Sequence, residues 1–146
     1  MLSYESLDAI ADSVNPTIGL VALLVPWLRR QGPRYALAFN ALTLVAVAMA
    51  YALQAIDAQI RLWPSLGLDY STHTAVFVAI ASSLWQHGRW LRIAAVALAV
   101  AYAALMLFQR YHSWLDIMST TLVMLIPVFA LWLAWARRSK TSEALA

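Results

Sequence analysis

Residues 90–108 read WLRIAAVALAVAYAALMLF, a run from Trp90 to Phe108 whose only charged side chain is Arg92. A helix rises about 1.5 Å per residue, so about 20 apolar residues cross a hydrocarbon core near 30 Å thick. This stretch meets that length unaided. Two others do so as well, Tyr35–Ile56 and Ser113–Trp135. Two shorter runs, Pro16–Leu28 and Tyr70–Trp85, need flanking residues to span; the first recruits Ile10–Asn15. Asn15-Pro16 is read as its helix start, because proline suits a first turn where its missing N–H costs nothing. The expected fold is an all-α, polytopic membrane helical bundle with about five transmembrane helices, a single membrane domain over residues 1–146.

Composition agrees. Of the 146 residues, 63% are hydrophobic and 12% charged, against about 25% charged in ordinary globular domains. There is no cysteine, which excludes disulfides, thiolate metal sites and a thiol nucleophile. The formal charge of +3 does not point to nucleic acid, because the basic residues mark topology. Arg29, Arg30 and Arg34 lie in the first loop, Arg89 and Arg92 in the third, and Arg137, Arg138 and Lys140 in the tail. All eight fall on one side of a five-pass arrangement, the side that the positive-inside rule assigns to the cytoplasm. Only Arg61 and Arg110 fall opposite. The expected topology has residues 1–13 outside, residues 139–146 as a cytoplasmic tail, and a bacterial-type inner membrane around the chain. Glu5, Asp8 and Asp12 precede the first apolar run, the reverse of a secretory signal, so that run is read as an anchor.

Tryptophans fit the same picture. Trp27, Trp85, Trp90, Trp132 and Trp135 fall at expected inner ends, and Trp63 and Trp114 at outer ones, as in an aromatic belt. Ala46/Ala50 and Ala95/Ala99/Ala103 recur at helical spacing as packing faces, which leaves a homo-oligomer open. Asn40 is expected to hydrogen-bond between helices, and His87 to be a solvated loop residue.

The outer side carries the chemistry. The loop Asp57–Asp69 leads into Tyr70-Ser71-Thr72-His73-Thr74, and the turn before the last helix reads Gln109-Arg110-Tyr111-His112-Ser113-Trp114-Leu115-Asp116. His112 and Asp116 are four residues apart and would share one helix face. A carboxylate behind an imidazole fixes its tautomer, and His73 would serve as a general acid. Arg61 and Arg110 offer planar forks for phosphate oxygens. Ser71 and Thr72 open a helix, where amides favour an anion. These parts describe phosphoryl transfer through a phosphohistidine without a metal. A zinc site on His73, His112 and Asp116 is the weaker reading, since it leaves the arginines unexplained and repelled.

The arrangement resembles the type 2 phosphatidic acid phosphatase (PAP2) superfamily, which includes the sphingolipid synthases and vanadium haloperoxidases. That family carries Lys-x6-Arg-Pro, Pro-Ser-Gly-His and Ser-Arg-x5-His-x3-Asp. Here the first motif is similar to Gln54-x6-Arg61, the second to Tyr70-Ser71-Thr72-His73 and the third to His112-x3-Asp116, in the same order across about residues 50–130. Gln54 stands for the family's lysine, Tyr70 and Thr72 for its proline and glycine, and Leu105 and Met106 for the third-motif serine and arginine. The five helices would be the family's six-helix core without its first. The resemblance implies His112 as nucleophile, Asp116 as its orienting partner, His73 as general acid, and Arg61 and Ser71 as phosphate-binding residues, with Thr72, Arg110 and Gln54 beside them. It implies no cofactor, a lipid phosphate or diphosphate as substrate, membrane lipids as surroundings and no nucleic acid. A lipid phosphotransferase resembling the sphingolipid synthases is the second expectation. A non-catalytic subunit binding a lipid phosphate is the third.

Overall fold

The structure, a computed structural model, describes residues 4–144, with side chains described for residues 5–139. Residues 1–3 of the expected outer segment, residues 145–146 of the expected tail and the Lys140 side chain lie outside that range. The described chain is all helical: α1 Tyr4–Leu28, α2 Pro33–Ile60, α3 Leu62–Ser65, α4 Thr72–Trp85, α5 Arg89–Phe108 and α6 Trp114–Ala144. Four of these (α1, α2, α5 and α6) contain segments long and apolar enough to cross a membrane. The protein is therefore an all-helical bundle of the integral-membrane type.

Its shortest long-axis helix is the central one. At 14 residues α4 extends only about 21 Å, yet α1, α2, α5 and α6 all pack on it. Thr74, Ala75, Val76, Phe77, Ala79, Ile80, Ser83 and Leu84 are buried, so α4 is covered by protein on nearly every face. Small residues make this possible. Ala46, Ala50, Ala75 and Ala79 are completely buried and let the α2 and α4 backbones approach closely.

Three local expectations are corrected. First, α1 does not start at Asn15-Pro16; it begins at Tyr4 and carries Pro16 and Pro26 inside it. Ala11, Ile18, Ala22 and Val25 form one buried stripe, whose packing offsets the lost proline hydrogen bonds. The segment expected to lie outside as residues 1–13 thus joins α1 from Tyr4 onward, and the tail from residue 139 continues α6 to Ala144. Second, the stretch Asp57–Asp69 is not a plain loop. Asp57 Oδ1 accepts the Trp63 N–H at 2.9 Å, which winds Leu62–Ser65 into a turn of helix. Third, Trp63 and Trp132 are not belt residues. They are buried at 5% and 6% exposure, and their indole N–H groups donate to Ser119 Oγ at 3.0 Å and Ser82 Oγ at 2.9 Å.

The bundle has two chemically distinct ends. At one, the α1–α2 and α4–α5 turns meet the end of α6 and carry Arg29, Arg30, Arg34, Arg89 and Arg92. There Asn40 Nδ2 donates to the Leu23 carbonyl at 3.1 Å, the interhelical bond expected of it. His87 is not solvated: at 2% exposure its ring packs 4.5 Å from the Phe39 ring, which also meets Trp132 at 4.8 Å. The α4–α5 turn tucks this imidazole beneath α2. At the other end gather Asp8, Asp12, Asp57, Asp69 and Asp116 with Arg61 and Arg110, all at the termini of α1, α2, α4, α5 and α6. Gln109 Nε2 to Asp8 Oδ1 at 2.7 Å and Tyr102 Oη to the Ala11 carbonyl at 3.1 Å tie α5 to α1 there.

Candidate functional site

His73 and His112 both sit at the acidic end. His112 lies in the turn between α5 and α6, a turn made by a left-handed Arg110 at φ 56°. The Tyr111 N–H reaches the Met106 carbonyl and the Arg110 N–H the Leu107 carbonyl, each at 3.1 Å. That pair is a Schellman closure, which stops α5 and leaves room for His112. His73 is in the first turn of α4, whose N-cap is Ser71.

The carboxylates are distributed differently from expectation. Asp116 and Ser113 form a reciprocal capping box: Asp116 Oδ2 accepts the Ser113 N–H at 2.7 Å, and Ser113 Oγ accepts the Asp116 N–H at 3.2 Å. The other oxygen, Oδ1, accepts the Asp69 N–H at 2.7 Å. Asp116 thus anchors the loop before α4 onto α6. The carboxylate nearest His112 is Asp69, whose Oδ2 lies 3.4 Å from the imidazole Nδ1. That spacing suits an ion pair, but Nδ1 is not aligned for a hydrogen bond. His73 pairs likewise with the first helix, its Nε2 lying 3.4 Å from Asp12 Oδ1. The Tyr111 ring stacks beside His73 at 6.4 Å.

Burial separates the two imidazoles. The His112 side chain is 11% exposed and that of His73 43% exposed. Burial pushes the His112 imidazole below its ordinary value; Asp69 and Asp116 oppose that shift, and His73 adds to it. His112 is therefore neutral at pH 7, the state in which a ring nitrogen can attack an electrophile. Nδ1 faces the Asp69 carboxylate, so Nε2 is the ring nitrogen turned away from it.

The remaining expected residues divide. Ser71 is completely buried; its N–H donates to Thr120 Oγ1 at 3.1 Å, and its Oγ caps Thr74 N at 3.3 Å and pairs with Thr74 Oγ1 at 2.8 Å. It acts here as a helix cap. Thr72 is half-buried in the first turn of α4. Gln54 and Arg61 are exposed, and among the described residues no hydrogen bond or ion pair joins their side chains to the histidines. Arg61 is the left-handed C-cap of α2 at φ 54°. Arg110 is exposed two residues from His112.

Asp12 and Asp69 are the site residues that spacing does not reveal. Asp69 precedes the Tyr70-Ser71-Thr72-His73 run and is legible only as its neighbour. Asp12 comes from α1, which no motif connects to His73. Among the described residues, no group of three histidine, aspartate or glutamate side chains is arranged to hold a metal ion, each histidine facing a different carboxylate.

No protein-family model, curated protein or solved structure matches this chain, so the chemistry of the site rests on its own residues.

Proposed function

We propose that this membrane protein hydrolyses a lipid phosphate or diphosphate through a phosphohistidine on His112. The observation that carries this reading is the His112 environment: a neutral, sheltered imidazole with a carboxylate against Nδ1 and a second histidine close enough to influence its charge. Nucleophile, orienting acid and proton donor then stand at one end of the bundle.

In the first step His112 Nε2 forms a bond to phosphorus as the bond to the leaving oxygen breaks. His73 donates the proton that the leaving oxygen takes up. Asp69 stabilises the positive charge that spreads onto the His112 ring, and Arg110 neutralises the transferring phosphoryl oxygens. Water then attacks phosphorus, cleaves the P–N bond and releases inorganic phosphate, with His73 accepting a proton in return. The first-turn amides of α4, at Thr72 and His73, add partial positive charge where the phosphoryl group sits. Positioning and charge stabilisation supply most of the rate, as in phosphoryl transfer generally.

The similarity to the type 2 phosphatidic acid phosphatases supports the same reading through residues Arg61, Ser71, His73, His112 and Asp116. Charge placement supports a site on the outer face of a bacterial-type inner membrane, since the opposite end holds the arginine-rich turns. Phosphate release from lipid phosphates in the presence of EDTA, lost in His112→Ala, is the expected result. Release retained by a folded His112→Ala protein overturns the proposal.

One observation favours a second reading, a lipid-phosphate-binding subunit without turnover. Both Asp116 oxygens are engaged by backbone amides, and Ser71 is buried as a cap. A folded wild-type protein that binds lipid phosphates and releases no phosphate would establish that reading.

A further inference from the structure

α1 carries Asp8, Asp12 and Asn15 inside Glu5–Leu28, a segment long and apolar enough to cross a membrane. Spacings of four and three residues put all three on one face of the helix. Ionisable groups inside such a segment are costly and mark functional positions. These converge on the histidine end. Asp8 Oδ1 accepts the Gln109 Nε2–H at 2.7 Å, three residues before His112. Asp12 Oδ1 lies 3.4 Å from His73 Nε2, and Asn15 Nδ2 donates to the His73 carbonyl at 3.0 Å. One helix thus holds His73 by both its ring and its backbone. We propose that Asp12 and Asn15 are positioning residues for His73, fixing the ring so that its proton is delivered from Nδ1. This deepens the function proposed above and rests on it only for the reaction that the proton serves.

The direction of delivery follows from the geometry. A protonated imidazole carries hydrogen on both nitrogens. Nε2 faces the Asp12 carboxylate and keeps its hydrogen there, while Nδ1 is the nitrogen turned away. As the leaving oxygen takes the Nδ1 proton, His73 becomes neutral with its remaining hydrogen on Nε2, the tautomer that a carboxylate beside Nε2 favours. Asp12 then serves the proton donor as Asp69 serves the nucleophile.

Helix packing alone does not account for Asp12. Asp8 and the Ala11 carbonyl already tie α1 to α5. The Asp12 and His73 side chains are 71% and 43% exposed, and an ion pair that open adds little stability. Asn15 fixes the backbone of His73, and the carboxylate then selects the rotation of its ring.

The test compares phosphate release from two lipid monoesters by the full chain in detergent. Hexadecyl phosphate loses an alcohol, which needs a proton to depart. The ester 4-hexadecyl-2-nitrophenyl phosphate loses a stabilised phenolate, which does not. Asp12→Asn should slow release from the first about 10- to 100-fold and from the second less than about twofold. Asp12→Glu should recover part of the loss. Asn15→Leu, which keeps the bulk and loses the bond, should show the same selectivity between the two esters. Equal slowing of both substrates by Asp12→Asn, the mark of a purely structural role, overturns the proposal. A second readout is independent of turnover. In nitrogen NMR of isotope-labelled histidines, assigned with His73→Gln, Asp12→Asn should move the His73 ring signals more than those of His112. Unmoved His73 signals also overturn the proposal. Signals that move as expected, with no release from either ester by the wild type, uphold the hold of α1 on His73 and remove hydrolysis instead.

Discussion

His112 Nδ1 lies 3.4 Å from Asp69 Oδ2, on a loop that Asp116 holds in place through the Asp69 N–H at 2.7 Å. Asp116 acts on His112 only through its charge, and Asp69 is the carboxylate within ion-pair distance of the ring. The residue four positions from His112 is a structural clamp, and the one facing the imidazole comes from another segment. Asp69→Asn should therefore act on chemistry more than on stability. Its carboxylate favours the protonated ring, so removing it lowers the His112 pKa further. The acid limb of the pH–rate profile should move to lower pH, while the maximum rate falls about 10- to 100-fold through lost orientation. Asp69 is 73% exposed at its side chain, so the melting temperature should barely change. An unshifted acid limb would assign Asp69 to the surface alone.

Asp116→Asn should have the opposite signature. Each carboxylate oxygen accepts a 2.7 Å bond from a part-buried backbone N–H. An amide keeps one acceptor and presents its NH₂ to the other donor. The expected loss is about 1.5 kcal/mol, the lower end of the range for hydrogen bonds to a charged group, because both bonds are only part-buried. Thermal unfolding in detergent checks it. A wild-type melting temperature would show that the clamp between α6 and the α4 approach is dispensable.

Much of the bundle is legible in sequence because membrane helices declare themselves by length and apolarity. Trp90–Phe108 and Ser113–Trp135 need no tertiary information, and Ser71 announces a helix start by residue type. What is not legible is who faces whom. Proline at position 16 signals a helix start locally, but the buried stripe through Ala11 and Ile18 decides otherwise, and that stripe exists only once α4 is in place. Asp12 and His73 are sixty-one positions apart in sequence, and no period links them. Trp63 and Trp132 have the belt's composition and the core's environment, because Ser119 and Ser82 satisfy their indoles. The motif spacing around His73 and His112 cannot tell a clamp from a carboxylate that faces an imidazole.

His87 makes stability depend on pH. Burial holds its imidazole below the ordinary value of 6.5, and Arg29 pushes it further down. The folded protein therefore keeps His87 neutral while the unfolded chain takes up a proton as pH falls through about 6.5. Stability should be full above that pH and decline on acidification below it. His87→Phe removes this contribution and an Nε2 that has no hydrogen-bond partner among the described residues. The melting temperature of the variant should change less between pH 7 and pH 5 than that of the wild type. Some slope should remain, because His112 titrates with the same sign. Identical pH dependence in both proteins would mean that His87 is not the group responsible.

Arginine at a left-handed position is costly, and among the described residues it occurs at Arg30, Arg61 and Arg110 with φ of 53°, 54° and 56°. Each ends a helix where glycine is the usual residue. Replacing any of them with glycine relieves the Cβ clash and should stabilise the fold by about 0.5–1 kcal/mol, the scale of a left-handed conformation less the entropy glycine adds to the unfolded chain. Function should separate them. Arg30 is at the end away from His112, so Arg30→Gly should gain stability and keep full phosphate release. Arg61→Gly and Arg110→Gly should gain similar stability and lose activity, Arg110 the more because it lies two residues from His112. Arg110→Lys keeps charge and strain but not the planar fork, and should recover only part of the rate. Full activity in Arg110→Gly would remove this arginine from the phosphate site and leave its charge to the membrane surface.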